Sequence, residues 1–196
     1  MTTSPSASSQ LWNVPNILTM VRIVLVPFFI WSLLADGSHG GVLRWVAFVL
    51  FAVAIYTDQL DGSIARKHNL ITDFGKIADP IADKLLTGSA LVLLSVLGEL
   101  PWWITVLILV REWGITALRF VVIRYGVMPA SPGGKLKTVL QTVAILLYLF
   151  PLTPAVPVLA AIAFWTMVLA LAVTVVTGID YLVKAVRLRA DALGGK

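Results

Sequence analysis

The sequence predicts an all-α integral membrane protein, a bundle of six transmembrane helices forming one domain. Three observations carry that prediction. The 196 residues are 59% hydrophobic and 13% charged, whereas soluble domains run at about 45–50% apolar and about 25% charged. Six stretches are mostly apolar over roughly the 20 residues that a bilayer crossing needs. Lys and Arg are missing from alternate connections, as expected of loops carried to the far side of a membrane.

The first span is expected over Pro15 to Leu34, with Asn13 as a cap and Pro15 in the first turn. The second begins near Val42, crosses to about Tyr56 and continues past the membrane surface to Lys67. The third covers about Gly75 to Leu97 and the fourth Trp102 to Tyr125, each opening near a Gly or Pro. The fifth runs from Lys135 to Leu152. The sixth spans about Pro157 to Tyr181 and leads into a basic tail. The expected organisation is a flexible cytosolic tail over 1–12, a six-helix membrane domain over 13–185 and a basic cytosolic tail over 186–196. The polar opening, MTTSPSASSQ, lacks the positive flank of a signal peptide.

Orientation follows from the basic residues. With the N-terminus inside, the outer connections are Ala35–Gly41, Gly98–Pro101 and Phe150–Val156, none of which holds Lys or Arg. Of the fifteen basic residues, only Arg44 lies close to the outer face. Both termini are therefore expected in the cytosol, and a short chain of this kind fits a bacterial inner membrane. The net charge of +5 reads as orientation and affinity for anionic lipid, with no nucleic-acid partner. The absence of cysteine excludes disulfides, thiolate chemistry and Cys-ligated zinc. Two histidines, His39 and His68, leave little for a histidine-rich metal site. Trp12, Trp45, Trp102 and Trp103 stand at helix ends, as an aromatic belt requires. His68 reads as a solvated loop residue, and Asp73 and Asp180 are assigned no role.

The chemistry is concentrated between Asp58 and Asp83. Asp58 and Asp61 are three apart and Asp79 and Asp83 four apart, so each pair shares a helical face. One pair ends a span and the other begins the next, and a turn of roughly ten residues between antiparallel helices would bring the two faces together at the cytoplasmic edge. Four carboxylates in a partly desolvated site repel one another. A divalent cation removes that cost, and all-oxygen ligands select a hard ion, Mg²⁺ or Mn²⁺. Two such ions suit in-line phosphoryl chemistry. Gly62 and Gly75 let a phosphate or nucleotide approach the backbone, and Arg66 can meet a diphosphate with its fork of donors. Taken singly, each aspartate could equally be an interfacial charge beside a helix turn. Taken together, carboxylates inside apolar sequence point to function.

The run D-x2-D-G-x2-A-R-x8-G-x3-D-x3-D, complete from Asp58 through Asp83, resembles the signature of the CDP-alcohol phosphatidyltransferase family at all eight of its defined positions. The resemblance implies six transmembrane helices and a homodimer. It implies that Asp58 and Asp79 bridge two metal ions, that Asp61 completes the first, and that Asp83 binds the second and acts as general base. Gly62, Ala65, Arg66 and Gly75 would bind the CDP part of CDP-diacylglycerol, the phosphatidyl donor, and CMP would leave.

Beyond the signature, the pieces Asn13-Val-Pro-Asn16-Ile-Leu-Thr19-x2-Arg22, Asp79-Pro-Ile-Ala-Asp83-Lys84, Arg111-Glu112 with Arg119, and Gly134-Lys135-x-Lys137-Thr138 resemble the glycerol-3-phosphate branch of the family. An anionic acceptor agrees with the residues. Arg111 lies near mid-bilayer at roughly 1.5 Å per residue and needs a partner or polar cavity. With Arg119, Lys135 and Lys137 it could form a cationic pocket for the phosphate of glycerol 3-phosphate. The competing readings are a structural pair for Arg111, with Glu112 or with another acidic side chain, one on another helix being favoured because adjacent helix residues point apart, and positive-inside anchoring for the lysines. Arg22 serves the donor diphosphate or snorkels to the interface. Asn16 and Thr19 line the nucleotide site, or Thr19 bonds its own backbone.

Rival functions remain at this point. Phosphatidylglycerol as acceptor would give cardiolipin, and inositol phosphate would give phosphatidylinositol phosphate. A cation transporter would place its carboxylates near the midplane, often within inverted repeats, whereas these lie at one edge and no repeat is evident. An inactive scaffold binding CDP-lipid would not need the full acidic set.

Overall fold

A computed structural model describes residues 14–68, 73–122 and 132–194, with side chains described over 16–60, 78–118 and 133–188. Six α-helices follow one another: α1 Val14–Asp36, α2 Val42–His68, α3 Asp73–Val96, α4 Trp102–Val122, α5 Pro132–Leu149 and α6 Pro157–Gly194. No strand occurs among the described residues. α2 runs unbroken through the Asp58–Arg66 segment, as the sequence suggested, and α6 continues as helix well beyond Tyr181.

Among the described residues three helices are long and apolar enough to cross a membrane, over Asn16–Asp36, Val42–Leu60 and Pro157–Leu188. The other three carry ionisable side chains inside their apolar lengths: Asp79, Asp83 and Lys84 on α3, Arg111 and Glu112 on α4, Lys135 and Lys137 on α5. The outward surface is apolar even so, with Trp31, Val110, Val158, Trp165 and Val176 all exposed. An aqueous surface rarely carries so extended an apolar covering. This is a membrane protein.

All six helices contribute to one core. α1 presents Val26, Phe29 and Leu33 at spacings of three and four, the interval that keeps side chains on one face. They meet Ala47, Phe51 and Ala54 of α2, and the Phe29 and Phe51 rings lie 5.7 Å apart. The two alanines let the α1 and α2 backbones approach closely, which dispersion rewards in a bilayer. Leu86, Ala90 and Leu94 of α3, Ile104 and Ile108 of α4, Ile145 and Leu149 of α5 and Met167 of α6 complete the core.

One end of the bundle is tied shut by polar contacts. Arg44 is fully buried. Its Nη1 and Nη2 donate to the two carboxylate oxygens of Glu99, in the α3–α4 turn, at 2.8 and 2.5 Å. Nη2 also donates to the Tyr148 carbonyl at 2.7 Å and Nε to the Leu149 carbonyl at 3.3 Å, both at the end of α5. Ser38, in the α1–α2 turn, adds a hydroxyl to Glu99. Arg44 therefore joins three connections, and its charge is spent inside the fold rather than displayed on an outer loop. Gly40 has a φ of +70° and packs so tightly on the α5–α6 connection that a Cβ there would stand 2.5 Å from the Pro151 carbonyl oxygen. A side chain is excluded on both counts.

Candidate active site

The opposite end holds the polar residues singled out from the sequence. Asn16, Thr19 and Arg22 continue the inner face of α1 at spacings of three, and all are buried. The Arg22 Nη1 donates to Asp58 Oδ1 at 2.5 Å, and the Thr19 hydroxyl donates to Asp79 Oδ1 at 2.5 Å. One helix face thus takes hold of an aspartate from α2 and another from α3. Arg22 pairs inside the protein and does not reach for an interface.

Asp83 lies one turn beyond Asp79 on α3, and Asp58 lies within electrostatic reach of both Asp79 and Asp83. Unlike Asp58 and Asp79, the Asp83 carboxylate receives no hydrogen bond from another described side chain. It faces a cleft between α3, α4 and α5 whose polar walls include Lys84, Thr87, Glu112, Lys137 and Gln141. The side chains of Asp61, Gly62, Ala65 and Arg66 on α2, Gly75 on α3 and Arg119 on α4 lie outside the described residues.

The proposed cationic cluster is divided by the fold. Lys137 is buried in the cleft wall, while Lys135 is exposed on the other side of α5. The reason is geometric, because residues two apart on a helix point nearly opposite ways. Arg111 turns toward α6: its Nε donates to the Thr174 carbonyl and its Nη2 to the Thr177 hydroxyl, both at 3.0 Å. Its remaining arm meets Glu112 Oε1 at 3.2 Å, so the long guanidinium reaches its neighbour although adjacent Cβ atoms diverge. Gly178 gives the guanidinium room, since a Cβ there would lie 3.2 Å from both Cγ and Nε of Arg111, closer than such contacts usually are. The foreseen pair with Glu112 is present, whereas the partners on the other helix are the Thr174 carbonyl and the Thr177 hydroxyl rather than a second acid.

Glu112 is the residue that sequence reasoning undervalued. Its Oε1 accepts from Lys137 as well as Arg111, so one carboxylate holds the cleft lysine in place and neutralises part of the basic cluster. Lys84, also at the cleft, donates to the Thr116 hydroxyl and lies 4.9 Å from the centre of the Trp113 ring, a cation–π distance. The available signal was the Arg111-Glu112 dipeptide inside an apolar span, where an uncompensated acid is costly.

Asp58, Asp79 and Asp83 offer only carboxylate oxygens, which fit a hard divalent cation. Among the described residues, however, no group of three or more acidic or histidine ligands is close enough to hold one unaided. The fourth aspartate of the set, Asp61, is the one whose side chain is not described.

A family model described as CDP-alcohol phosphatidyltransferase matches residues 12–176. A Mycobacterium tuberculosis protein named probable phosphatidylglycerophosphate synthase is 51% identical over 179 residues, covering 91% of this chain and 84% of the relative. A Bacillus subtilis protein named CDP-diacylglycerol–glycerol-3-phosphate 3-phosphatidyltransferase is 37% identical over 187 residues, covering 89% of this chain and 95% of its own. A Streptomyces coelicolor protein named cardiolipin synthase (CMP-forming) is 34% identical over 147 residues, covering 74% and 66%.

Proposed function

Because this chain belongs to the CDP-alcohol phosphatidyltransferase family, we propose that it transfers the phosphatidyl group of CDP-diacylglycerol to glycerol 3-phosphate, releasing CMP and phosphatidylglycerophosphate. The observation that carries this reading is the cleft that Asp83 and Lys137 share. A general base must stand within reach of the hydroxyl it deprotonates, and a phosphate-bearing acceptor needs a cation near that base.

Asp83 takes the proton of the acceptor hydroxyl. The freed oxygen forms a bond to the phosphorus that bears diacylglycerol, the bond from that phosphorus to the bridging oxygen breaks, and CMP departs with the electron pair. Lys137, steadied by Glu112, binds the acceptor phosphate. Arg111 acts behind it by holding α4 to α6 and Glu112 in place. Arg119, whose side chain lies outside the described residues, is assigned to the same acceptor phosphate, and Lys135 serves as an anchor at the membrane surface. On the donor side, Asn16, Thr19 and Arg22 with Gly62, Ala65, Arg66 and Gly75 bind the CDP portion. Asp58, Asp61, Asp79 and Asp83 would hold Mg²⁺ or Mn²⁺, two ions in all, which supply charge neutralisation at the diphosphate. The donor chemistry of the described aspartates supports that set.

All six helices cross the membrane in this reading. Even α5, the shortest at 18 residues, spans on the order of 27 Å, close to the hydrocarbon thickness. The site faces the cytoplasm of an inner membrane, with both termini on that side and a homodimer as the functional unit. The Streptomyces relative favours a second reading, with phosphatidylglycerol as acceptor. One assay separates them: CMP release from CDP-diacylglycerol by detergent-purified protein with Mg²⁺ or Mn²⁺, offering glycerol 3-phosphate, phosphatidylglycerol, inositol phosphate or serine in turn. Release with glycerol 3-phosphate alone supports the proposal. Release only with another alcohol retains the chemistry and replaces the acceptor.

A further inference from the structure

Gln141 stands one helical turn beyond Lys137 on α5, so the two side chains share a face, and both line the cleft that holds Asp83. The residue is 6% exposed, and its Oε1 has no hydrogen-bond partner among the described residues. Buried amide oxygens are nearly always paired, because leaving one unpaired forfeits its hydration without return.

Neither Thr87 nor Thr138, two hydroxyls of the cleft, supplies the missing donor. Thr87 gives its proton to the Asp83 carbonyl and Thr138 to the Gly134 carbonyl, each one turn back along its own helix. The apolar walls Leu91, Ile108 and Leu109 offer no side-chain donor. A ligand hydroxyl entering the cleft is the partner this arrangement lacks.

Resting on the proposed function, we infer that Gln141 is a specificity-determining residue that accepts a hydrogen bond from the acceptor's second hydroxyl, the one that does not attack phosphorus. The cleft then reads three features of a polyol phosphate. Lys137 takes the phosphate, Asp83 the nucleophilic hydroxyl and Gln141 the neighbouring hydroxyl. An acceptor lacking that second hydroxyl leaves the amide oxygen buried and unpaired, the situation in which polar pockets discriminate strongly.

The test compares glycerol 3-phosphate with 3-hydroxypropyl phosphate, which keeps the phosphate and terminal hydroxyl and lacks the middle one. The wild-type enzyme is expected to favour glycerol 3-phosphate in kcat/KM by on the order of tenfold. In Gln141→Met, which keeps side-chain length and removes the acceptor atom, the ratio should fall toward one while the KM for CDP-diacylglycerol stays put. A purely packing role would lower both rates and leave the ratio alone, and that result overturns the inference. Should the variant fail to fold, the wild-type ratio still decides, since equal use of both acceptors overturns it. No CMP release by wild type with glycerol 3-phosphate is a different failure, which removes the proposed function and this inference with it.

Discussion

Replacing Arg44 by Met tests whether the closed end of the bundle is held by the contacts described. The substitution keeps an unbranched apolar stem and deletes the guanidinium. It removes two hydrogen bonds to the Glu99 carboxylate and two to the Tyr148 and Leu149 carbonyls. Glu99 retains Ser38 as a donor but loses its counter-charge. Breaking a buried ion pair by removing one partner costs about 3–5 kcal/mol. The Glu99 side chain is 13% exposed, so water can replace part of what is lost, and the lower end, about 3 kcal/mol, is the expectation. That corresponds to roughly a 150-fold shift in the unfolding equilibrium. The measurement is reversible unfolding in mixed micelles, followed by helical circular dichroism. Turnover per folded molecule should be unchanged, since Arg44 lies at the end of the bundle remote from Asp83. Adding Glu99→Gln should destabilise the Met variant little further, because the acid is already unpaired. A loss under about 1 kcal/mol for Arg44→Met, or strict additivity in the double variant, would refute the reasoning.

Three further outcomes follow from the site. Asp83→Asn should lower kcat by at least about a hundredfold at saturating metal, the usual scale of general-base catalysis, while CMP binding measured by calorimetry persists; turnover near wild type would remove Asp83 as base. Lys137→Met should raise the KM for glycerol 3-phosphate by roughly 10–100-fold, the worth of a charged hydrogen bond, whereas Lys135→Met should change it by less than about twofold. Similar effects at both positions would contradict their placement on opposite sides of α5. Chelation with EDTA should abolish CMP release and added Mg²⁺ or Mn²⁺ should restore it, and activity that survives chelation would discard the carboxylate-metal assignment.

The helices were legible because hydropathy and turn residues are local signals. α2 was expected to run on past the membrane surface, and it does, because nothing between Tyr56 and Lys67 breaks a helix. The faces of α1 were legible too: Asn16, Thr19 and Arg22 repeat every three residues and continue the register of the buried Val26 and Phe29. Partners were not. Arg44 bonds Glu99 across 55 residues of sequence and Leu149 across 105, separations over which composition carries no information. Arg111 shows the other failing. Cβ directions forbid an i,i+1 pair for short side chains, but a guanidinium on three methylenes can bend back to its neighbour while its other arms serve α6. Lys135 and Lys137 were grouped by charge when helix geometry already separates them. Gln141 passed unnoticed because an amide in an apolar run carries no distinctive spacing, and only its unpaired oxygen distinguishes it.

The contacts of Arg44 also bear on how the protein is made. In the proposed orientation this arginine ends up on the far side of the membrane, where positive charge resists delivery. Its counter-charge, Glu99, is synthesised 55 residues later, roughly 3–11 s behind at ordinary elongation rates, and the Leu149 carbonyl later still. The first hairpin must therefore be inserted with its cation uncompensated, leaning on lipid phosphate or water, until the second hairpin arrives to claim it. Nascent chains truncated before Glu99 should for that reason be prone to inverted insertion, and the order of synthesis becomes part of what decides which way the finished enzyme faces.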